Sequence, residues 1–441
     1  MANKANSLKF LNRLYIYTLF IIFGGIVLHA PLSVWLGTVF PDYSLIIKSW
    51  KEVLMGVAGL TMLYILFRRK QLRILKNPIV ITVLIYALLH LLTILIFARG
   101  LTSSGAGLLI DLRYLLFFVL VYVAVKLYPD FKQKFMIVGV GGAGIVILFA
   151  ILQIFILPID FLTYLGYSKA TIMPYLTIDQ SHDFIRISST LRGPNPLGAY
   201  CVIVLSVLLT WLLRRKESLS NKKLTAAIAV ALGTSLVLWN SYSRSALIAM
   251  GAVIVVILAI KFKSLVSRKL RFFIIGILIV MASSLFIFKD SYVVSNVILH
   301  QNPESTVVSK SNEGHIDSIQ SGVSSVLSKP FGTGVGSVGS ASLLDSNPNI
   351  IENQYLYVAH EVGWLGLFLF AIIFIGVMTR LWNKRQDWLA LGLFASGIGL
   401  AIIGILLPVW ADDTVSIIWW GLAGLTIGGM IYGKSINKKT A

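Results

Sequence analysis

The chain is 441 residues long, 57% hydrophobic and only 13% charged, against the roughly 25% charged usage of an ordinary soluble domain, which excludes a water-soluble globule. With a mean hydropathy of +0.85, most of its length must lie in lipid, where only helices or closed barrels satisfy the backbone. The formal charge of +20 would fit nucleic acid only if the basic residues shared one folded surface; they are scattered between apolar stretches instead.

In chain order, apolar segments occupy residues 14–36, 50–67, 78–97, 108–127, 135–157, 195–213, 224–240, 245–260, 272–288, 354–378, 389–409 and 416–432. Their length, without the alternation of barrel strands, selects helices. Read with a window of about 19 residues, they predict an all-α integral membrane protein, a single polytopic domain over residues 1–441 with about 12 transmembrane helices. The first segment is too long for the apolar core of a signal peptide and lacks a small-residue cleavage site, so it reads as a membrane helix. The single cysteine, Cys201, lies in an apolar run and excludes a disulfide framework, a thiolate zinc site and an iron–sulfur cluster.

Lysines and arginines cluster in alternate connections: Lys4, Lys9 and Arg13; Arg68 to Lys76; Lys126 to Lys134; Arg214 to Lys223; Lys261 to Arg271; Arg380 to Arg385; and Lys434 to Lys439. These groups hold most of the 38 basic residues, whereas of the 18 acids only Asp130, Glu217 and Asp387 share that side. The positive-inside bias places that side, and both termini, in the cytoplasm. Two extracytoplasmic loops are long, residues 158–194 and 289–352, and connections of that length are usually functional or disordered. An ion-coupled transporter would carry ionisable groups near the middle of several helices. Here His90 lies well inside a span, while Lys51, Glu52, Asp111, Arg113 and Glu361 are expected near outer helix ends. This concentration of polar residues favours a site at the outer membrane boundary, where a lipid-linked anionic substrate presents its head group.

The first long loop ends in Arg186-Ile-Ser-Ser-Thr-Leu-Arg192-Gly-Pro-Asn195-Pro-Leu-Gly198. Asn195 is placed to cap a helix whose first residue is Pro196. Two arginines beside a helix N-terminus form either a phosphate cradle or an interfacial anchor. Arg244, in the turn Asn240-Ser-Tyr-Ser-Arg244-Ser-Ala, has no acid nearby in sequence and either snorkels to the surface or meets an anion. In the second loop, His315 and Asp317 are either a base with its orienting carboxylate or solvated residues, and side chains two apart on a helix diverge.

Gly332-Thr-Gly334-Val-Gly336-Ser-Val-Gly339 contains a formal GxGxxG. Outside a βαβ unit it signals only a sharp turn and a close approach to backbone. Glu352-Asn353-Gln-Tyr355-Leu-Tyr357 marks the mouth of the tenth span. Glu352 fits a general base for a sugar hydroxyl, and the tyrosines fit substrate contacts or an aromatic belt. Gly363 and Gly366 are expected to allow close helix packing. Asp412 and Asp413 read as solvated turn residues, with metal binding as the lesser alternative.

Four of these segments, in order, resemble the O-antigen ligase/polymerase superfamily of bacterial membrane glycosyltransferases. They are the Arg…Thr-Leu-Arg-Gly-Pro-Asn-x-Leu-Gly helix opening, the Ser-Arg-Ser-Ala turn, Lys-Pro-x-Gly-x-Gly-x-Gly late in the large loop, and Glu-Asn-x-Tyr-Leu…Glu-x-Gly-x-x-Gly-Leu at the next helix. The resemblance spans about residues 180–380. It implies a GT-C-like enzyme of the bacterial cytoplasmic membrane that moves a glycan from undecaprenyl diphosphate to a glycan or lipid acceptor outside the cytoplasm. Membrane lipids are its surroundings, and neither nucleic acid, metal nor cofactor is implied. On the same resemblance, Arg186 or Arg192, together with Arg244, holds the diphosphate. Asn195, Asn353 and Tyr355 contact substrate, and Glu352 or His315 is the base for inverting displacement at the anomeric carbon. Ligases of the family carry His-Asn where this chain has Glu352-Asn353, a departure that resembles the polymerases of capsules, exopolysaccharides and secondary wall polymers. The alternatives are an O-antigen ligase, a protein oligosaccharyltransferase and, from another class, a lipid-linked glycan transporter.

Overall fold

The computed structural model describes residues 2–97, 99–178, 181–213, 221–261, 319–320, 322–345 and 348–429. Its helices are α1 (Ala2–Gly25), α2 (His29–Val39), α3 (Ser44–Lys48), α4 (Trp50–Arg68), α5 (Pro78–Phe97), α6 (Leu101–Leu127), α7 (Phe131–Phe155), α8 (Pro194–Leu212), α9 (Asn221–Asn240), α10 (Arg244–Lys261), α11 (Gln354–Asn383), α12 (Trp388–Leu406) and α13 (Asp413–Gly428). Ten helical segments among the described residues are long and apolar enough to cross a bilayer, with α1 and α2 contributing one continuous segment, Ser7–Val39. The protein is therefore an all-α, multi-pass membrane protein. Of the twelve expected spans, 272–288 lies outside the described residues. The last, expected over 416–432, corresponds to α13, whose 16 residues fall short of the roughly 20 that span a bilayer upright.

The centre of the bundle is α6. Apart from Leu116, every residue from Tyr114 to Lys126 is buried. α13 lies directly on it because its glycines present no side chain: a Cβ on Gly424 would stand 2.6 Å from the Phe118 carbonyl oxygen, and one on Gly428 2.7 Å from that of Tyr122. Small residues at this spacing let backbones meet where lipid supplies no hydrophobic drive between helices. Around this contact Trp420 packs edge to face with Trp410 and Trp419, at ring-centroid distances of 5.6 and 5.1 Å, while Trp410 and Trp419 are tilted to one another at 5.3 Å. At one end of the bundle Tyr128 donates to Asn12 Oδ1 at 2.7 Å while the Arg69 guanidinium sits over its ring. The opposite end, called here the loop end, carries the connections around the candidate site.

The first long connection is not structureless. It contains a 3₁₀ turn, Phe161–Leu165, and an antiparallel hairpin of β1 (Leu176–Ile178) and β2 (Ser181–Arg186) that sets Arg186 opposite Leu176. The helix that follows starts earlier than the sequence predicts. Gly193, fully extended, takes the N-cap position and Pro194 the first turn, so Asn195 lies inside the helix and its side chain is released for another contact.

Helix α11 is interrupted. Gly363 adopts φ 71° and ψ −173°, so it breaks the helix, and the close approach it allows is to the loop at Pro330 and Phe331 instead of to another helix. The freed backbone groups are met by the glycine-rich loop. Thr333 N–H donates to the His360 carbonyl (2.8 Å), Gly334 N–H to the Glu361 carbonyl (3.1 Å), and Trp364 N–H to the Pro330 carbonyl (3.0 Å). The Glu361 carboxylate reaches back and accepts from Gly336 N–H (3.0 Å) and Val338 N–H (3.3 Å). Gly332, Gly334, Gly336 and Gly339 all have positive φ. The close approach foreseen for this motif is made by the chain's own α11 and by α6: a Cβ on Gly336 would overlap the Ser103 carbonyl, and one on Gly107 would overlap Gly336 itself. Gly336→Ala must therefore strain both a left-handed residue and a helix contact. It is expected to destabilise the protein by more than about 1 kcal/mol, seen as a lower melting temperature in detergent, whereas Gly141→Ala, with nothing within 4 Å, should melt like the parent.

Candidate functional site

Two turns at the loop end are brought together by backbone contacts. Ile187 N–H donates to the Asn240 carbonyl at 3.2 Å. Gly198 on α8 leaves room for the first turn of α10, since a Cβ there would come within 2.7 Å of Ala246 Cβ and 2.8 Å of Ser243 Cβ. Each turn contains a non-glycine residue in the left-handed region, Ser189 (φ 51°) and Tyr242 (φ 47°), a conformation that persists only where surrounding contacts over-determine it. For Ser189 those contacts are Gln153 Oε1, which accepts from its N–H at 2.7 Å, and the Val146 carbonyl, which accepts from its hydroxyl at 2.6 Å.

This arrangement sets Arg186 beside Arg244. Arg186 donates through Nε to the Ser241 carbonyl (3.1 Å) and through Nη2 to Asn195 Oδ1 (2.7 Å), and among the described residues it has no carboxylate partner. Burial and then the neighbouring Arg244 lower its guanidinium to about 10, so Arg186 remains a cation at neutral pH, with Arg244 near it at the start of α10. An anion placed there would receive guanidinium forks in the geometry suited to phosphate. The structure thus joins Arg186 with Arg244 and Asn195, and directs Arg192 elsewhere.

Arg192 faces a cavity of about 370 Å³ between α2, α3, α6, the segments 170–172 and 340–344 and the turn before α13. On its floor Asp413 is not the solvated turn residue expected from sequence. It pairs with Lys51 Nζ and with His29 Nε2, each at 2.9 Å, and with Arg113. Glu52 joins from α4, 3.2 Å from Lys51 and 3.6 Å from Arg113. Asp412 caps α13, accepting from Val415 N–H at 2.9 Å. Burial and the adjacent Asp413 push its carboxyl above the usual range, partly offset by that N–H, Arg113 and Arg192. Both aspartates are thus committed to partners within the protein.

The helix interiors are also less empty of charge than the sequence implied. Asp111 lies inside α6 and Glu361 just before the break in α11, and both are buried. His90 Nε2 is 3.5 Å from Asp111 Oδ2, and Glu361 is held by the glycine-rich loop as described. His360, missed as a candidate, contacts Ser325 Oγ through Nδ1 (3.0 Å) and Asn349 through Nε2 (3.4 Å). Its place in the helix-opening motif was the only available signal.

Glu352 is partly buried immediately before α11. Asn353 caps that helix, accepting from Tyr355 N–H and Leu356 N–H at 2.9 Å each and donating to the Ile405 carbonyl at 2.7 Å. The Tyr355 hydroxyl donates to the Ala401 carbonyl at 2.9 Å. Asn353 and Tyr355 thereby fix how the strip bearing Glu352 meets α12. His315 lies outside the described residues.

Residues 226–371 match the family model described as O-antigen ligase. The match supports membership in the O-antigen ligase/polymerase superfamily. No curated protein matches the chain. The O-antigen ligase stretch takes in the Arg244 turn, the glycine-rich loop, Glu352 and the break at Gly363, and this is a family of glycan-transferring enzymes. Arg186, Arg192 and the Asp413 network lie outside it. Replacing Asp413 with Asn leaves Lys51 and Arg113 with Glu52 as their remaining carboxylate. Breaking a buried pair in this way costs about 3–5 kcal/mol, so the variant should show a markedly lower melting temperature in detergent than the parent.

Proposed function

We propose that the protein is a surface polysaccharide polymerase, an inverting and metal-independent glycosyltransferase with a GT-C-like fold. In this reading it joins undecaprenyl-diphosphate-linked repeat units at the outer face of the bacterial cytoplasmic membrane, with both termini in the cytoplasm. The observation that carries it is the meeting of the Arg186 and Arg244 turns, tied by the Ile187 N–H to Asn240 carbonyl bond, which brings the two arginines near each other at the starts of α8 and α10. A phosphate group placed there would receive guanidinium forks in the geometry suited to it, and this reading assigns that place to the diphosphate of the carrier.

The proposed step breaks the bond between the anomeric carbon and the diphosphate oxygen. The acceptor-sugar hydroxyl oxygen attacks that carbon from the opposite face, a general base removes the hydroxyl proton, and the bonding electrons leave with the diphosphate. Arg186 and Arg244 stabilise the charge that grows on the leaving group. Glu352 or His315 takes the proton. Asn195 positions Arg186, and Asn353 and Tyr355 position the strip bearing Glu352. A carboxylate in place of the ligases' histidine favours the polymerase over the ligase or oligosaccharyltransferase. A transporter would draw on His90, Asp111 and Glu361, but Glu361 is engaged by the glycine-rich loop, which favours a structural role for that cluster.

The test is an in vitro reaction of the purified protein with undecaprenyl-diphosphate-linked repeat units, resolved by chain length on a gel. A ladder is expected from the parent, none from Arg244→Ala, and a weak one from Arg244→Lys, because a point charge lacks the fork. Normal polymer length in Arg244→Ala would overturn the proposal.

A further inference from the structure

A short helix over residues 322–328 leads into the glycine-rich loop, and its surface divides into three sides. One packs on the first turns of α11: a Cβ on Gly322 would stand 3.2 Å from Leu356 Cδ1, Ser325 Oγ contacts His360 Nδ1 at 3.0 Å, and Val326 is buried. At about 3.6 residues per turn, Ser324 and Ser328 share a second side, which is exposed and polar. Val323 and Leu327 share the third, which is exposed and apolar. Leu327 is 67% exposed and Phe331, just beyond the helix, 83%.

The level of this segment follows from α5. That helix has 20 residues, Pro78–Phe97, so it is about 30 Å long, the thickness of the hydrocarbon core, and Lys76 and Arg99 flank it. A Cβ on Gly334 would stand 2.9 Å from Phe97 Cβ, and one on Gly366 3.7 Å from Leu89 Cδ2. The backbone of Phe331 lies against Gly363, so it is placed beside the last turns of α5, inside the span. Its neighbours on α11, Trp364, Leu365 and Phe368, are exposed apolar residues of a membrane helix, and the apolar side of the short segment continues their strip. At that depth irregular backbone must be satisfied by protein. It is: the Pro330 carbonyl accepts from Trp364 N–H, and Thr333 and Gly334 N–H donate to α11.

We infer that this segment dips into the bilayer, with Val323, Leu327 and Phe331 among the acyl chains of the leaflet at the loop end. Ser324 and Ser328 then face the head groups, and Lys329, exposed at the end of the helix, extends towards their phosphates, as an interfacial amphipathic segment requires. The partner of the apolar side is lipid. The described end of the second long connection thus returns to the membrane before α11 begins, which holds the glycine-rich loop at the membrane boundary.

The experiment is spin-label collision measurement on the full-length protein in phosphatidylcholine nanodiscs. Cys201 is buried, so a thiol-directed nitroxide attaches at the introduced cysteine of Leu327→Cys, Phe331→Cys, Leu365→Cys or Ser324→Cys. Dissolved oxygen concentrates among acyl chains, whereas a polar nickel chelate stays in water. The labels in Leu327→Cys and Phe331→Cys are expected to collide with oxygen as often as the label in Leu365→Cys and to lose the nickel collisions seen in Ser324→Cys. Both variants should melt like the parent, since neither side chain is packed. Nickel collisions at either position equal to those in Ser324→Cys would show that the face lies in water and overturn the proposal. Few collisions with either reagent would show that the face is covered by another part of the chain or a second copy, and would also overturn it. So would a melting temperature well below that of the parent in both variants, which would mean that these side chains pack within the fold.

Discussion

A backbone N–H or C=O buried among membrane helices has no water to turn to, so any departure from helix must be matched by another segment of protein. The break in α11 at Gly363 is the point where this constraint is most demanding. The carbonyls of His360 and Glu361 and the N–H of Trp364 lose their helical partners, and the segment Pro330 to Gly334 supplies them. The Glu361 side chain then satisfies Gly336 and Val338 in return. From this exchange follow the path of the glycine-rich loop, its contact with the start of α6, and the position of the strip from Asn349 to Asn353 that carries Glu352. Arg99 adds a second tie, donating to the Thr333 carbonyl at 2.7 Å and pairing with Asp345 at 3.1 Å.

The loop end uses charge in two contrasting ways. Around Asp413, groups from α2, α4, α6 and α13 neutralise one another. Such a network adds little net stability over a well-packed apolar core, but it is costly to break and so holds the helices in register. Around Arg186, by contrast, a guanidinium is tied by the Ser241 carbonyl and the Asn195 amide oxygen, with a second arginine, Arg244, near it. That arrangement is held by the fold, through the Ile187 to Asn240 bond and the close approach at Gly198.

Stiffness around both features comes from aromatic packing at the centre. The tryptophans of α13 and of the turn before it press against Tyr114 and Phe374, and the glycines of α13 let its backbone seat on α6. The loop end is therefore built on a rigid helical base, the arrangement by which loops can carry chemistry at fixed geometry.

The sequence by itself determined what depends on composition and local periodicity. Membrane spans were legible because hydropathy is a property of each segment alone, and the four motifs were legible as a family likeness because they are contiguous. Arg186 and Arg244 could be picked out, as could a close backbone approach at the glycine-rich motif. Only the tertiary structure brought the Arg186 and Arg244 turns together, because that follows from a backbone hydrogen bond and a close helix approach between segments far apart in the chain. It alone showed that Gly363 breaks a helix, since the segment that repairs the break is supplied by a different loop. Asp413 looked like a solvated turn residue because its neighbours in sequence are polar, whereas His29, Lys51 and Arg113 reach it from three other helices. Local pattern reports what a segment can form; the partners of a buried charge or a broken hydrogen bond are set by packing between segments.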